Sequence, residues 1–346
     1  MGERAIIDAI RRRAGSGDTP GLRLGIGDDC AILRPAAGEE IVVTTDLSLE
    51  QIHFRRDWHP PEVVGHRCLA RGLSDLAAMG ARPLGTFLSI ALPGEFLTAD
   101  EGKSWLDRFL DGFLALAHQA KVPLAGGDTA QSAACSVRGR ELSGLATADI
   151  VLLGSVKRGH ALLRSGAQAG DVIYITSELG GAAAELLALG RNPERFAAFT
   201  QAQPGHPHLF PAPRLETARK LASGKRIHSA IDLSDGLSTD LAHICKESGL
   251  AAELDAAAIP IHPLALQAEV DGWVPSAMEL ALHGGEDYEL LFTAPKWTPI
   301  PRKVAGVNIH PIGQMQPRKP RKPVVTLRGR NGRITALEAG GWEHFH

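Results

Sequence analysis

The chain has 346 residues, 44% of them hydrophobic, with 37 Lys plus Arg against 39 Asp plus Glu and a formal net charge of −2. That length exceeds what one hydrophobic core comfortably fills, so two domains are expected. The balanced charge gives no electrostatic reason for a nucleic-acid partner, and Cys30, Cys68, Cys135 and Cys245 lie too far apart for a zinc knuckle or a disulfide framework, which favours a reducing compartment.

MGERAIIDAIRRR mixes acids and bases and lacks the continuous apolar core of a signal peptide. Ala5, Ile6, Ile7, Ala9 and Ile10 instead mark one face of a short helix. No run of about 18 uncharged apolar residues occurs, so no membrane span is expected, and a soluble cytoplasmic protein is. Residues 41–46 read as a strand, and 61–80 as a helix with Pro61 near its start and Gly80 at its end. A second strand is predicted at 84–91 and a long amphipathic helix at about 98–120. VPLAGGDT reads as a strand entering a glycine turn, and 145–156 as a further strand.

A composition break at 157–170 separates a first domain, 1–156, from a second, 157–346. In the second, VIYITS is a strand and GAAAELLALG a helix. Residues 195–226, rich in Pro, His and Arg, read as including a loop. RIHSAIDLS leads from strand to turn, and a helix follows at about 237–247. A short helix is expected at 274–283, then the strand YELLFTAP. VNIHPIG and VVTLRG read as short or edge-like strands, and the basic stretch 315–323 as a solvated hairpin tip or a phosphate-facing arm. The mixture of strands and helices predicts an α/β (α+β) fold.

Six stretches place carboxylates beside glycines or hydroxyls at apparent strand ends: IGDDCAIL, VVTTDLSLE, GLSDLAAMG, LAGGDT, AIDLSDGL and HGGEDYELLF. Each alone reads as a helix cap or an Asp-Gly turn. Six in one neutral chain ask for a cation, because gathered carboxylates repel unless positive charge sits among them. Oxygen ligands suit magnesium or calcium. Counted from Asp232, the EF-hand pattern fails, with Gly236 at position 5 and His243 at position 12. A polyphosphate would explain both the metals and the glycines, which let the backbone approach phosphate closely. The chain has neither a Walker loop nor the HRD and DFG motifs of protein kinases.

IGDD, TTDLSLEQIHF, GHRCLARGLSDLAAMGARP, GGDT, LLRSGAQAGD, DLSDGLSTD, GGEDYELLF and the terminal GWEHF, in that order and spacing, span nearly the whole chain. In them the sequence resembles the thiamine-monophosphate kinases, of the superfamily of aminoimidazole ribonucleotide synthetase and selenophosphate synthetase. The resemblance implies a two-domain aminoimidazole ribonucleotide synthetase-like fold whose N-terminal domain pairs with its copy, closing a barrel-like sheet in a homodimer. It implies ATP and Mg2+ in a cleft between the domains, and direct transfer of the γ-phosphoryl group to thiamine monophosphate.

By motif position, the resemblance makes Asp29, Thr44, Thr45, Asp46, Asp75, Asp128, Asp232 and Asp235 the magnesium ligands, with Asp28 capping or turning the glycine loop. Gly127, Asp128, Arg164 and Ser234 become nucleotide contacts. A helix-end ion pair for Arg164 and an N-cap for Ser234 are the alternatives. His53, Glu286 and Trp342 fall at thiamine-phosphate positions, with a C-terminal plug over the core as the alternative for Trp342. No protein general base is required, since a phosphate oxygen is itself a nucleophile. HPH at 206–208 lacks partners at zinc spacing and reads as surface loop. The rival readings are another small-molecule ATP-dependent enzyme of the superfamily, such as aminoimidazole ribonucleotide synthetase, or a catalytically silent ATP-binding regulator.

Overall fold

A computed structural model describes residues 3–15, 20–98, 103–137, 140–142, 144–224 and 226–342. In chain order the first elements are α1 (Glu3–Ala14), β1 (Leu22–Leu24), β2 (Ile32–Leu33), β3 (Glu39–Leu49), α2 (Pro61–Ala78), β4 (Arg82–Leu92), a 3-10 turn (Gly94–Leu97), α3 (Trp105–Ala120), β5 (Leu124–Gln131), β6 (Cys135–Val137), β7 (Arg140–Leu142) and β8 (Thr147–Lys157). They are followed by β9 (Val172–Thr176), α4 (Gly181–Arg191), a 3-10 turn (Pro193–Phe196), α5 (Leu215–Ala222), β10 (Ser229–Asp232), α6 (Leu237–Ser248), β11 (Leu250–Asp255), α7 (Pro263–Val270) and α8 (Ala277–His283). The last are β12 (Leu290–Ala294), β13 (Lys303–Val304), β14 (Val307–Pro317), β15 (Val325–Arg328) and β16 (Ile334–Ala336). The chain divides into two compact units, Met1–Leu73, Arg82–Lys157 and Leu189–Pro204 in the first, and Ser74–Ala81, Arg158–Ala188 and Gly205–His346 in the second. Among the described residues no helix is long and apolar enough to cross a membrane.

The first unit is built on a sheet in the order β3-β8-β4-β5, with β4 and β5 parallel and the other pairs antiparallel. Alternation along β8 buries Ala148, Ile150 and Leu152 on one face. That face is covered by α2, whose Gly72 lies against Ile150 and Leu152. The helix α3 packs on α2 and carries a stacked aromatic row, Trp105 with Phe96 and Phe109 at ring separations of 4.7 and 5.4 Å, then Phe113. It begins at Trp105 rather than near 98. Ser104 Oγ accepts the Asp107 N–H at 3.1 Å, and the Asp107 carboxylate accepts the Ser104 N–H at 3.3 Å. This reciprocal cap satisfies donors the helix end would otherwise leave unpaired and sets the boundary. The expected residues 99–102 lie outside the described ones.

The second unit has a sheet in the order β10-β12-β9-β14-β11-β15-β16, with β13 paired to β14. The helix α6 supplies Leu237, Leu241, Ile244 and Cys245 to a core that also holds Ile173, Ile175, Leu254, Ile312 and Met315. Three sequence expectations change here. VNIHPIG belongs to an eleven-residue strand, β14, that lies inside the sheet between β9 and β11. VVTLRG forms β15, four residues long and so short as expected, but it lies between β11 and β16, so neither is an edge. Residues 315–317 are still strand, and the basic remainder connects β14 to β15 past the intervening β11, so it is no hairpin tip. Within 195–226, α5 is a regular helix with Thr217, Ala218 and Leu221 buried.

Candidate active site

In the first unit the acids arrive on a loop and two strands. Asp28 accepts the backbone N–H of Asp29 through Oδ1 at 2.9 Å and so shapes the turn, and both carboxylates are exposed. On β3, alternation sends Thr44 and Asp46 to the face covered by α2 and Thr45 to the opposite, exposed face. The Thr45 hydroxyl is therefore not grouped with the Asp46 carboxylate, so only its main-chain oxygen is on offer there. Asp46 Oδ1 lies 3.2 Å from Arg71 Nη2, so the carboxylate has a cation beside it.

GGDT makes no turn. Gly126, Gly127 and Asp128 all lie within β5, where the pairing with β4 slips at Thr86/Phe87. Gly127 has φ of 155°, and a β-carbon there would sit 1.9 Å from the Leu88 carbonyl oxygen. Only a residue without a side chain fits so close to the neighbouring strand. A cavity of about 770 Å³ opens here, lined among others by Asp28, Asp29, Phe87, Ser89, Gly127 and Asp128. Its size is that of a small-molecule site.

In the second unit, Asp232 ends β10 and is buried, and Ser74 Oγ donates to its Oδ2 at 2.7 Å. Asp75 follows Ser74 on the final turns of α2. Past Asp232 the chain turns at Gly236, with φ of 111°, into α6. The helix is capped not by Ser234 but by Asp240, whose Oδ2 accepts the N–H groups of Asp235 and Gly236, each at 3.1 Å. Ligand atoms of Asp235, Asp240 and His243 all lie within 4.8 Å of one another. Burial, and then the charges of Asp232 and Asp235, push the Asp240 carboxyl up to about 8. Like charges so crowded are what a bound cation would relieve. The sequence expectation missed Asp240 and His243, because an acid in a helix's first turn reads as a dipole partner.

The residues expected on the substrate side fall as follows. His53 is half-buried, and its Nδ1 accepts the Leu49 N–H at 3.0 Å, which leaves the ring proton on Nε2 as a donor. Glu286 has φ of 67°, and its N–H donates to the Ser234 carbonyl at 2.8 Å, so HGGED and LSDG run side by side. The terminal GGW strands itself along the start of α6. Gly341 N–H donates to Thr239 Oγ1 at 3.1 Å and Trp342 N–H to the Asp235 carbonyl at 3.2 Å. The Trp342 side chain is 57% exposed, so it is no plug over the core. Residues 343–346 of GWEHF lie outside the described ones. Arg164 is exposed on an irregular segment beside β10, where the Leu163 carbonyl accepts the Ala230 N–H at 2.8 Å. It is on no helix itself, and its carbonyl accepts the hydroxyl of Ser248, the last residue of α6, at 3.2 Å.

HPH at 206–208 is not a surface loop: His208 is 1% exposed. Buried Glu185 of α4 accepts the backbone N–H groups of His208 and Leu209, at 2.9 and 3.2 Å, and its Oε1 lies 2.5 Å from His206 Nδ1. Asp287, next to Glu286, is buried too, and caps α4 by accepting the N–H groups of Gly180 and Ala182 at 2.7 and 3.1 Å. Burial pushes its carboxyl from 3.8 up to about 7, against those two hydrogen bonds. A folded-state value above the unfolded one means stability present at low pH and lost as pH rises from 3.8 to about 7. The melting temperature of the wild type should therefore exceed that of Asp287→Asn by more at acid pH than at pH about 8. A margin that widens toward alkaline pH in a thermal-melt series would contradict this.

Residues 27–148 match the family model described as AIR synthase related protein, N-terminal domain, and residues 168–316 its C-terminal domain. The thiamine-monophosphate kinase of Escherichia coli (strain K12) is 36% identical over 335 residues, 94% of this chain and 92% of that one. That of Bacillus subtilis (strain 168) is 30% identical and covers 93% of each chain. The crystal structure of thiamine-monophosphate kinase from Stenotrophomonas maltophilia K279a is 34% identical, with a TM-score of 0.73 over 97% of this chain and 98% of that one. AaThiL complexed with AMPPCP and TMP matches with a TM-score of 0.70 at 25% identity, over 99% of this chain and 97% of that one. Motifs, fold and relatives thus agree over almost the full length, and the chain belongs to the thiamine-monophosphate kinase family, within the AIR synthase related proteins.

Proposed function

We propose that this chain transfers the γ-phosphoryl group of ATP to thiamine monophosphate. A phosphate oxygen of thiamine monophosphate bonds to the γ-phosphorus, the bond from that phosphorus to the β,γ-bridging oxygen breaks, and ADP leaves. The observation that carries this reading is full-length similarity to thiamine-monophosphate kinases, one of them complexed with AMPPCP and TMP. The acidic sets on the two units support it chemically.

In this reading Asp29, Thr44, Asp46 and Asp128 of the first unit, and Asp75, Asp232 and Asp235 of the second, hold magnesium, and Thr45 contributes through its main-chain oxygen. The crowding of Asp235, Asp240 and His243, with Asp240 pushed up to about 8, fits a cation that neutralises them. Bound magnesium would neutralise phosphate charge and orient the phosphoryl group. Gly127 lets phosphate or sugar come against the backbone, and Arg164 and Ser234 donate to phosphate oxygens. His53 offers Nε2–H to the acceptor's phosphate. Trp342 stacks on a ring of the cationic thiamine moiety, and the Glu286 carboxylate complements its charge. The acceptor oxygen is already ionised at neutral pH, so positioning and charge neutralisation carry the rate.

A homodimer belongs to the same reading. Ile41, Val43 and Leu47 stand 42, 59 and 47% exposed on one face of β3, which ends the strand order of its sheet. An apolar face on a terminal strand is suited to a second copy of this chain. The test of substrate identity is an acceptor panel with ATP and magnesium. Thiamine monophosphate should be phosphorylated in preference to free thiamine, and no ribotide should be turned over. ADP formed only with a ribotide would assign the chain to another activity of the superfamily, and ATP bound without turnover of any acceptor would make it a regulator.

A further inference from the structure

We propose that His208 is a positioning residue for substrate, a buried imidazole that fixes the Glu286 carboxylate and thereby sets affinity for thiamine monophosphate. The inference rests on the reading of Glu286 as a substrate contact. His208 Nδ1 lies 3.1 Å from Glu286 Oε2, with side-chain exposures of 2% and 26%. The pair therefore has one member sealed in the protein and one reaching its surface. A carboxylate oxygen only accepts, so Nδ1 carries the proton in this contact.

Holding the HPH segment in place does not require the ring. Glu185 already anchors that backbone through the amides of His208 and Leu209, and holds the neighbouring His206 by its own imidazole. The His208 ring faces Glu286. Glu286 in turn needs restraint. Its φ of 67° is a conformation that non-glycine residues avoid, and such residues persist where the surroundings over-determine them, commonly at binding sites. Its contacts include its N–H on the Ser234 carbonyl at 2.8 Å and its carboxylate on His208. The first ties its backbone to the LSDG loop, the second orients its charge.

Steady-state kinetics with both substrates, on the full chain with ATP and magnesium, test this. Glu286→Gln should raise KM for thiamine monophosphate about tenfold, the scale of one charge-assisted hydrogen bond. An unchanged KM would overturn the reading of Glu286 and the inference with it. Given that rise, His208→Leu should raise the same KM about tenfold while KM for ATP moves less than about twofold. His208→Asn, which keeps a donor near the δ position, should return KM to within about threefold of the wild type. The double variant Glu286→Gln/His208→Leu should be no worse than Glu286→Gln alone, because His208 acts only by orienting the Glu286 charge that the first change has already removed. Normal KM in His208→Leu, equal rises for both substrates with no rescue by His208→Asn, or additive losses in the double variant would each overturn the role. Should His208→Leu fail to fold, His208→Asn and the double variant carry the same comparison, and a full tenfold loss in His208→Asn contradicts the inference.

Discussion

Replacing Asp232 by asparagine is expected to lower kcat about a thousandfold or more while leaving the metal-free protein as stable as the wild type, or more so. The two halves of that expectation have one cause. Asp232 is buried, and together with Asp235 its charge helps push Asp240 up to about 8. Without a cation these carboxylates oppose one another, so neutralising one relieves the folded state. Asparagine keeps an oxygen that can accept the Ser74 hydroxyl, now at 2.7 Å, so the local packing survives. In the proposed function the same carboxylate is a magnesium ligand, and its loss would remove charge that holds the cation against polyphosphate. The rise in melting temperature on adding magnesium and an ATP analogue should shrink accordingly. Undiminished turnover at saturating magnesium would remove Asp232 from the metal site.

Gly127→Ala should raise KM for ATP about a hundredfold and lower the melting temperature. The new β-carbon would lie 1.9 Å from the Leu88 carbonyl oxygen and 2.7 Å from its carbon, at a φ of 155° that side chains rarely adopt. Backbone cannot rotate aside as a side chain can, so β5 must move off β4 at the Leu88–Gly127 rung. That shift displaces Asp128, the next residue, and reshapes the cavity wall it shares with Asp28 and Asp29. Gly126→Ala is the matched control. Its β-carbon meets only the Phe87 ring, at 2.9 and 3.0 Å, and a ring can turn. Melting curves and ATP titrations of the two variants should separate clearly, and equal effects would locate the damage in the strand rather than in its approach to Leu88.

The acidic stretches were legible as carboxylates where strand periodicity stops, as at Asp232, although Asp46 proves to lie inside β3 and not at its end. Their side-chain directions were less so. Alternation along IVVTTDLSL already implies that Thr44 and Asp46 share a face and Thr45 does not, and the motif as a block obscured that. Asp240 was hidden by a local rule that is also true of it: it does cap the first turn of α6 while standing among other carboxylates. The interior position of β14 could not be read from VNIHPIG, because strand order is set by long-range pairing with β9 and β11. Burial of His208 escaped for a similar reason. Its anchor, Glu185, lies 23 residues away on another element, and proline-rich sequence gives no sign of such a partner.

Transfer from ATP labelled at the γ-phosphate, with thiamine monophosphate as acceptor, tests the central claim most directly. With magnesium, label should pass to the terminal phosphate of thiamine diphosphate in step with ADP formation, with none retained on the protein, and a chelator of divalent cations should stop it. Label released only as inorganic phosphate, label held on the protein as a competent intermediate, or transfer undiminished by the chelator would contradict the account.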